Sequence, residues 1–268
     1  MSDPARLPSP HLTYTVDDAG VATISIENAA RMNAMTAAMW GALPGLVAQA
    51  QADASVRVIV LRGGGTRAFC AGADISEFET QRSGDAVHTY DVLNHNAFDA
   101  LTACTKPTIA MIHGFCLGGG LGLAVACDLR VADDAATFAI PAAKLGIGYN
   151  PRWISPILRT VSPAVAKLIL FTGRRFTASE ALAMGLVTSL ARTDDLYVVV
   201  ATLASEIAGN APLSVRAAKA AIDELAARPG TADQGRLDQF IAACFESDDY
   251  AEGRRAFTEK RKPVFKGQ

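Results

Sequence analysis

Two short glycine-bearing segments carry the most distinctive chemistry in the chain: Ala68-Phe69-Cys70-Ala71-Gly72-Ala73-Asp74-Ile75 and Gly114-Phe115-Cys116-Leu117-Gly118-Gly119-Gly120. Each follows an apolar run, residues 56–61 and Thr108–Ile112, and the second leads into a helix expected over 121–127. Small side chains leave backbone N–H groups uncovered, and at a helix start such groups favour negative charge. Two of them converging from separate loops would hold the oxygen of an activated carbonyl, an oxyanion hole. Glycine also serves tight turns and close helix packing, so either loop alone is open to that plainer reading. The pairing of the two points to chemistry.

Other chemistries fit less well. Gly63-Gly64-Gly65-Thr66-Arg67-Ala68 has the spacing of a dinucleotide fingerprint, but it continues into a loop rather than opening a helix. No phosphate-binding P-loop, GxSxG elbow or HExxH pattern is present. The five cysteines are scattered, odd in number and without CxxC spacing, which argues against a disulfide framework or a zinc site; a metal-free protein without a cofactor is expected. Cys70 and Cys116 lie in the two loops with nothing basic beside them to favour a thiolate. His113, just before the second loop, is placed either as a proton donor or as a satisfied strand-end histidine. Arg152 is placed either against a substrate carboxylate, through its fork of donors, or in solvent.

Positioning these loops requires buried strands. Residues 12–17 and 21–27 alternate apolar and polar types around Asp18-Ala19-Gly20, the pattern of a β-hairpin. Thr36 suits the N-cap of an alanine-rich helix reaching about Gln51. The runs 56–61 and Thr108–Ile112 are apolar apart from Arg57 and Thr108, as in strands covered on both faces. A loop is expected to about Glu77, then a helix over 86–104 closed by Lys106-Pro107, then short strands over 129–132 and 137–140. This succession predicts a parallel sheet with right-handed crossovers. From Arg152 onward the pattern turns helical. Thr177 and Glu180 have capping-box spacing, and helices are expected over 194–208, 212–227, 233–245 and 248–261, with one apolar run, 186–190, among them. The expected organisation is a flexible leader at 1–10, an α/β core at 11–200 and a helical remainder at 201–268.

Half of the 268 residues are hydrophobic and 19% are charged, enough apolar material for a large core. A net charge of −2 gives no electrostatic case for nucleic acid. No apolar run reaches the ~18 residues of a membrane span, and the first ten residues, with three prolines, lack the apolar centre of a signal peptide. A cytoplasmic protein is expected.

Taken together, the two loops resemble the paired signatures of the enoyl-CoA hydratase/isomerase (crotonase) superfamily, and the likeness runs through nearly the whole chain. Arg31-Met32-Asn33-Ala34-Met35 resembles the early basic–Asn-Ala segment of that family, and Cys127-Asp128-Leu129 the strand after the glycine-loop helix. Phe138-Ala139-Ile140-Pro141 with Leu145-Gly146 resembles its next active-site loop. Phe171-Thr172-Gly173, Gly185-Leu186-Val187 and the Ser247-to-Pro263 stretch resemble its later helices and tail. The resemblance implies an α/β fold, a crotonase-like spiral of ββα units with a C-terminal helical trimerisation region, assembled as trimers or dimers of trimers. It also implies an acyl-CoA substrate, with coenzyme A as part of the substrate rather than a cofactor. Carried onto this sequence, the oxyanion donors are the N–H groups of Ala73 and Gly119, expected about 3 Å from one oxygen position. Arg31 and Lys260 match positions that approach the CoA phosphates, the tail lysine doing so in a neighbouring subunit. Ala71 and Asp74, flanking the first donor, complete the expected CoA-binding set. Asp74 also suits bonding of its own turn, and Lys260 also reads as part of a solvated basic helix end.

The departure from the family lies in the acids. Family hydratases use two glutamates around a water, at positions that are Gly122 and Ala142 here. General acid–base groups typically contribute about 100- to 10,000-fold each, so hydration by the usual pair is disabled, and restoring Glu at 122 and 142 is expected to introduce it. The Leu145-Gly146-Ile147-Gly148-Tyr149-Asn150 segment resembles the methylmalonyl-CoA decarboxylase branch, where a tyrosine in this loop helps orient a carboxylate that leaves as CO2. That branch carries a histidine where this chain has Ala73. Loss of CO2 needs no general base, because it delivers the enolate directly. The expected function is an acyl-CoA lyase, in its favoured form a decarboxylase of a malonyl-type ester. The alternatives are an enoyl-CoA hydratase with other acid and base groups, or a non-catalytic acyl-CoA-binding protein. Tyr149 also admits a reading as a packed residue whose hydroxyl meets a backbone group.

Overall fold

Three successive strands of the main sheet each hand the chain to a short strand of a second sheet and then to a helix, and this repeated step builds the spiral. In the computed structural model, residues 9, 11–77, 86–227 and 230–268 are described. The expected leader, 1–10, lies outside them except for Ser9.

The main sheet opens with the expected hairpin, β1 (Leu12–Val16) antiparallel to β2 (Val21–Ile26). From β2 it continues in parallel through β3 (Val58–Gly63), β5 (Thr108–Ile112), β7 (Leu129–Asp133) and β10 (Ser189–Ala191). The second sheet has the order β4 (Ala68–Cys70), β6 (Phe115–Leu117), β8 (Thr137–Ala139), β9 (Phe176–Thr177). The units are therefore β3-β4, β5-β6 and β7-β8, followed in turn by α2 (Ala86–Thr102), α3 (Gly119–Ala126) and α4 (Pro151–Thr160). The sequence reading treated 68–70 and 115–117 as loop. They are strands because pairing satisfies a buried backbone there: Ala68 aligns with Phe115 and Cys70 with Cys116.

Side-chain alternation divides the core. Ile59, Leu61, Ala110 and Ile112 point into the layer shared with α1 (Ala37–Ala52), α2 and α3. Val58, Val60, Ile109, Met111 and Val131 point the other way and are covered by Leu196, Val200 and Ala204 of α7 (Leu196–Ala208). A division at residue 200 cuts through α7, so the packed core continues to Ala208. Thr36 caps α1, its hydroxyl accepting from the Met39 N–H at 3.3 Å.

After α4 the chain is mostly helical: α5 (Pro163–Thr172), α6 (Ala178–Ala183) and then α7, α8 (Pro212–Ala227), α9 (Gln234–Phe245) and α10 (Asp248–Glu259). Thr177 and Glu180 form the expected capping box on α6. The tail doubles back on α10. Lys266 and Gly267 N–H groups donate to the Asp249 carboxylate at 2.7 and 2.8 Å, and Val264 N–H donates to Glu252 at 3.1 Å. Arg57, just before β3, donates to the Phe265 carbonyl at 3.3 Å and so ties the tail to the amino edge of the main sheet. No single helix among the described residues is long and apolar enough to cross a membrane.

Candidate active site

The first loop is pinned by an asparagine. Asn33 is buried and left-handed, at φ 56°, a conformation asparagine tolerates better than most residues. Its amide donates to the carbonyls of Gly64 at 2.9 Å and Ala68 at 2.6 Å, and its oxygen accepts from the Asn28 N–H at 3.0 Å. A lone parallel bridge then holds the loop: Met35 N–H donates to the Gly72 carbonyl at 2.7 Å, and Asp74 N–H donates to the Met35 carbonyl at 2.9 Å. Ala73, the residue between, turns its own N–H to the opposite side.

The second loop arrives against it. Gly118 N–H donates to the Ala139 carbonyl of β8 at 2.8 Å, and Gly119 opens α3, where the first N–H groups have no helical acceptor. Gly72, at φ 97°, leaves no room between the loops: a Cβ there would lie 3.0 Å from the Leu117 carbonyl oxygen and 3.2 Å from the Gly119 nitrogen. The structure thus brings the two loops into contact. Among the described residues neither the Ala73 nor the Gly119 N–H has a protein acceptor. At the other end of α3, the buried Arg130 donates to the Cys127 carbonyl at 2.7 Å and to the Leu186 carbonyl at 2.8 Å, securing the helix.

Charges near the first loop serve its own geometry. Arg31 donates to both Asp74 oxygens at 2.8 and 2.9 Å and to the Ser76 hydroxyl, and Ser76 N–H donates to Asp74 at 2.9 Å. Burial raises the Asp74 pKa, but the Ser76 and Arg31 hydrogen bonds outweigh it and hold the carboxyl below its usual value. Arg31 keeps 54% of its side chain exposed, so binding Asp74 leaves a face free for solvent or ligand. Ala71 N–H is used internally, donating to the Met32 carbonyl at 3.0 Å. Burial pushes the Cys70 thiol up to about 12, against the weaker pull of its Gly72 contact, and raises Cys116 well above its ordinary value. Neither is a thiolate near neutral pH.

At the acid positions the structure shows what stands there instead. A Cβ on Gly122 would lie 2.6 Å from Cζ and 2.9 Å from Cε1 of Phe98, on α2. A Glu at 122 would therefore meet the Phe98 ring, which occupies the space its side chain would enter. Ala142 is buried in a short 3-10 turn, Pro141–Leu145. Phe98 belongs to a ladder of edge-to-face rings. Trp40 lies 5.6 Å from it and Trp153 6.3 Å, with Tyr149 5.4 Å beyond Trp153. The near end of the ladder touches the second loop, since a Cβ on Gly119 would lie 3.1 Å from Trp40. The Tyr149 hydroxyl is sealed from solvent without a protein partner among the described residues, and burial pushes its pKa up, so it remains a protonated donor. The site wall is aromatic and lacks carboxylates at both acid positions.

The other candidates are more local. Asn150 caps α4, accepting from the Arg152 N–H at 3.0 Å, while the Arg152 side chain is exposed. His113 is buried beside Arg62 and the Ala68 backbone; burial, then the Arg62 charge, lower its pKa, so it is neutral at pH 7. Lys260 is the left-handed C-cap of α10, at φ 54°, in the segment leading to the tail. Asn33 in its bonding role, Phe98, Trp40 and Trp153 escaped the sequence reading. The one signal for Phe98 is Gly122 itself, a glycine inside an otherwise apolar helix. Among the described residues no cluster of three or more His, Cys, Asp or Glu could hold a metal ion.

Two unspent N–H groups beside a dry aromatic wall suit an oxygen that gains charge as a thioester reacts. The sequence model of the enoyl-CoA hydratase/isomerase family matches residues 17–268. The chain is 32% identical over 243 residues to a short-chain-enoyl-CoA hydratase of Clostridium acetobutylicum, covering 90% of this chain and 92% of that protein. It is 34% identical over 220 residues to a carnitinyl-CoA dehydratase of Proteus mirabilis, covering 81% and 84%. A crystal structure described as an enoyl-CoA hydratase/carnithine racemase from Magnetospirillum magneticum superposes with a TM-score of 0.91 at 37% identity, covering 96% of this chain and 98% of that one. Fold, site loops and these likenesses agree: the chain belongs to the enoyl-CoA hydratase/isomerase family of acyl-CoA enzymes.

Proposed function

We propose that the chain is an acyl-CoA lyase that works through an enolate without the glutamate pair, in its favoured form decarboxylating a malonyl-type CoA ester. The observation that carries this reading is Phe98 standing in the space of a side chain at Gly122, with Ala142 at the second acid position. The thioester oxygen would rest between the N–H groups of Ala73 and Gly119. The bond from Cα to the carboxylate carbon breaks, CO2 leaves, and the electron pair becomes the enolate, whose charge falls on that oxygen. A proton from water then completes Cα. Each donor of this type lowers such a barrier by about 3–4 kcal/mol. Tyr149 would orient the departing carboxylate through its protonated hydroxyl.

Arg31 and Lys260 are assigned to the CoA phosphates, with Lys260 serving a neighbouring copy in a cytoplasmic trimer or dimer of trimers. One feature supports that assembly: Phe245 and Phe257 are 61% and 87% exposed on the last two helices.

The test is incubation with methylmalonyl-CoA and, separately, crotonyl-CoA. CO2 release from the first is expected. Brisk hydration of crotonyl-CoA with malonyl-type esters untouched overturns the reading in favour of a hydratase, the activity in the name of the Clostridium acetobutylicum relative. Tight binding without turnover of any ester favours a binding protein.

A further inference from the structure

At the amino edge of the main sheet the tail borders a cavity of about 340 Å3. Arg57 and Lys106, which precede β3 and β5, line it together with Arg216 of α8 and Lys266 of the tail. The chain has 25 basic and 27 acidic residues. Among the described residues, however, four basic side chains line this space and no aspartate or glutamate side chain does. Two of the four are fixed, and by carbonyls rather than carboxylates. Arg57 donates to the Phe265 carbonyl at 3.3 Å, and Lys106 donates to the Ala50 carbonyl at 2.8 Å and to the Asp53 carbonyl. Such contacts orient a cation without neutralising it. The nearby carboxylates are engaged elsewhere: Asp249 takes the Lys266 and Gly267 N–H groups, and Asp53 takes the Ser55 N–H and hydroxyl at 2.8 and 2.6 Å. The Gln268 carbonyl oxygen accepts from the Asp249 N–H at 3.4 Å and so turns to α10. Burial lowers the Lys106 pKa, and the Arg57 charge lowers it further against the pull of Asp53.

We propose that this cavity is a second anion site, fitted to a di- or polyphosphate group and separate from the position assigned to the CoA phosphates. An arginine fork grips phosphate through paired N–H groups, and a lysine answers it as a point charge. Two of each match the charge of a diphosphate. The volume falls in the range of small-ligand pockets, about 300–1,000 Å3. Pro107 and Pro212 add apolar wall for an organic group carried with the phosphates. Strand geometry separates this place from the thioester site. Arg31 follows β2 and the Ala73 loop follows β4, whereas Arg57 and Lys106 lie at the other end of the strands, about 20 Å away along the six residues of β3. A phosphate bridging Lys266 to Arg57 and Lys106 fastens the tail to the core.

The test is calorimetric titration of the unmodified protein with pyrophosphate and, separately, with ADP. Saturable binding of pyrophosphate is expected, weakening as sodium chloride is added. Arg57→Gln with Arg216→Gln should weaken it about tenfold or more, the loss of charged hydrogen bonds. Arg31→Gln, at the carboxyl edge, should leave it unchanged within about twofold. Equal affinity for the two ligands assigns the site to a free polyphosphate; tighter ADP binding that the double variant loses assigns it to a nucleotide. No saturable binding of pyrophosphate, or binding kept by the double variant, overturns the site. Binding lost in Arg31→Gln also overturns it, by placing the anion at the CoA phosphates. If losing the Arg57 contact with Phe265 unfolds the tail, Arg216→Gln with Lys266→Gln, both at exposed positions, takes the place of that variant and the same comparison decides.

Discussion

The Phe98 ring begins where a side chain at position 122 would begin, with Cζ 2.6 Å from the missing Cβ. The two positions are therefore one decision: a glycine on α3 and a large ring on α2, or a larger residue on α3 and a smaller one on α2. Gly122→Ala should cost about 1–3 kcal/mol of stability as an overpacked core, and Phe98→Leu should recover much of it in the double variant. Thermal melts of the four proteins in the cycle measure the coupling. Additive losses would show that the ring yields freely.

The same pair governs engineered hydration. Gly122→Glu with Ala142→Glu is expected to give no crotonyl-CoA hydration while Phe98 remains, and measurable hydration when Phe98→Ala is added. Absorbance loss of crotonyl-CoA checks both. Hydration by the two-glutamate protein with Phe98 intact would contradict the steric account.

The Asp74 carboxyl, held below its ordinary value, gives a pH dependence with a definite sign. An unfolded aspartate titrates near ~3.9, so its contribution to stability is complete above that pH and fades as pH falls through the lowered folded value. Asp74→Asn should melt below the unmodified protein at pH 7, and the gap should close as the pH falls below about 4. A gap that widens in acid would mean that Asp74 is protonated in the folded chain.

Tyr149→Phe should slow CO2 loss from methylmalonyl-CoA by about tenfold or more, the value of one hydrogen bond to a charged group. Because burial raises the phenol pKa, the unmodified enzyme should show no loss of rate from Tyr149 ionisation up to pH 9. Steady-state rates across pH 6–9 for both proteins test this, and a basic limb abolished by the substitution counts against a sealed phenol.

Much of the frame is legible in the sequence, and the limits are physical. Thr108–Ile112 reads as a strand because four apolar residues follow a β-branched threonine, and all five are buried. Strands of three residues such as Ala68–Cys70 do not, since their pairing partners rather than any side-chain period define them. Both glycine loops announce themselves through composition, and it is the resemblance to the family that singles out Ala73 and Gly119 within them. Phe98 does not: it is one apolar residue on a helix, and its meaning lies in a tertiary contact with Gly122. The cations of the amino-edge cavity are likewise gathered by tertiary structure, from Arg57, Lys106, Arg216 and Lys266, and no spacing in the sequence joins them.

The Met35–Ala73 bridge takes up the polar groups of Gly72 and Asp74 and leaves the one at Ala73 unspent, so what this loop offers a ligand belongs to the main chain. Exchanging the side chain at 73 leaves that N–H in place, and only proline deletes it. An alanine scan is blind to such a group. If those main-chain donors hold the thioester oxygen as proposed, the side chains of the wall can be exchanged without touching that hold.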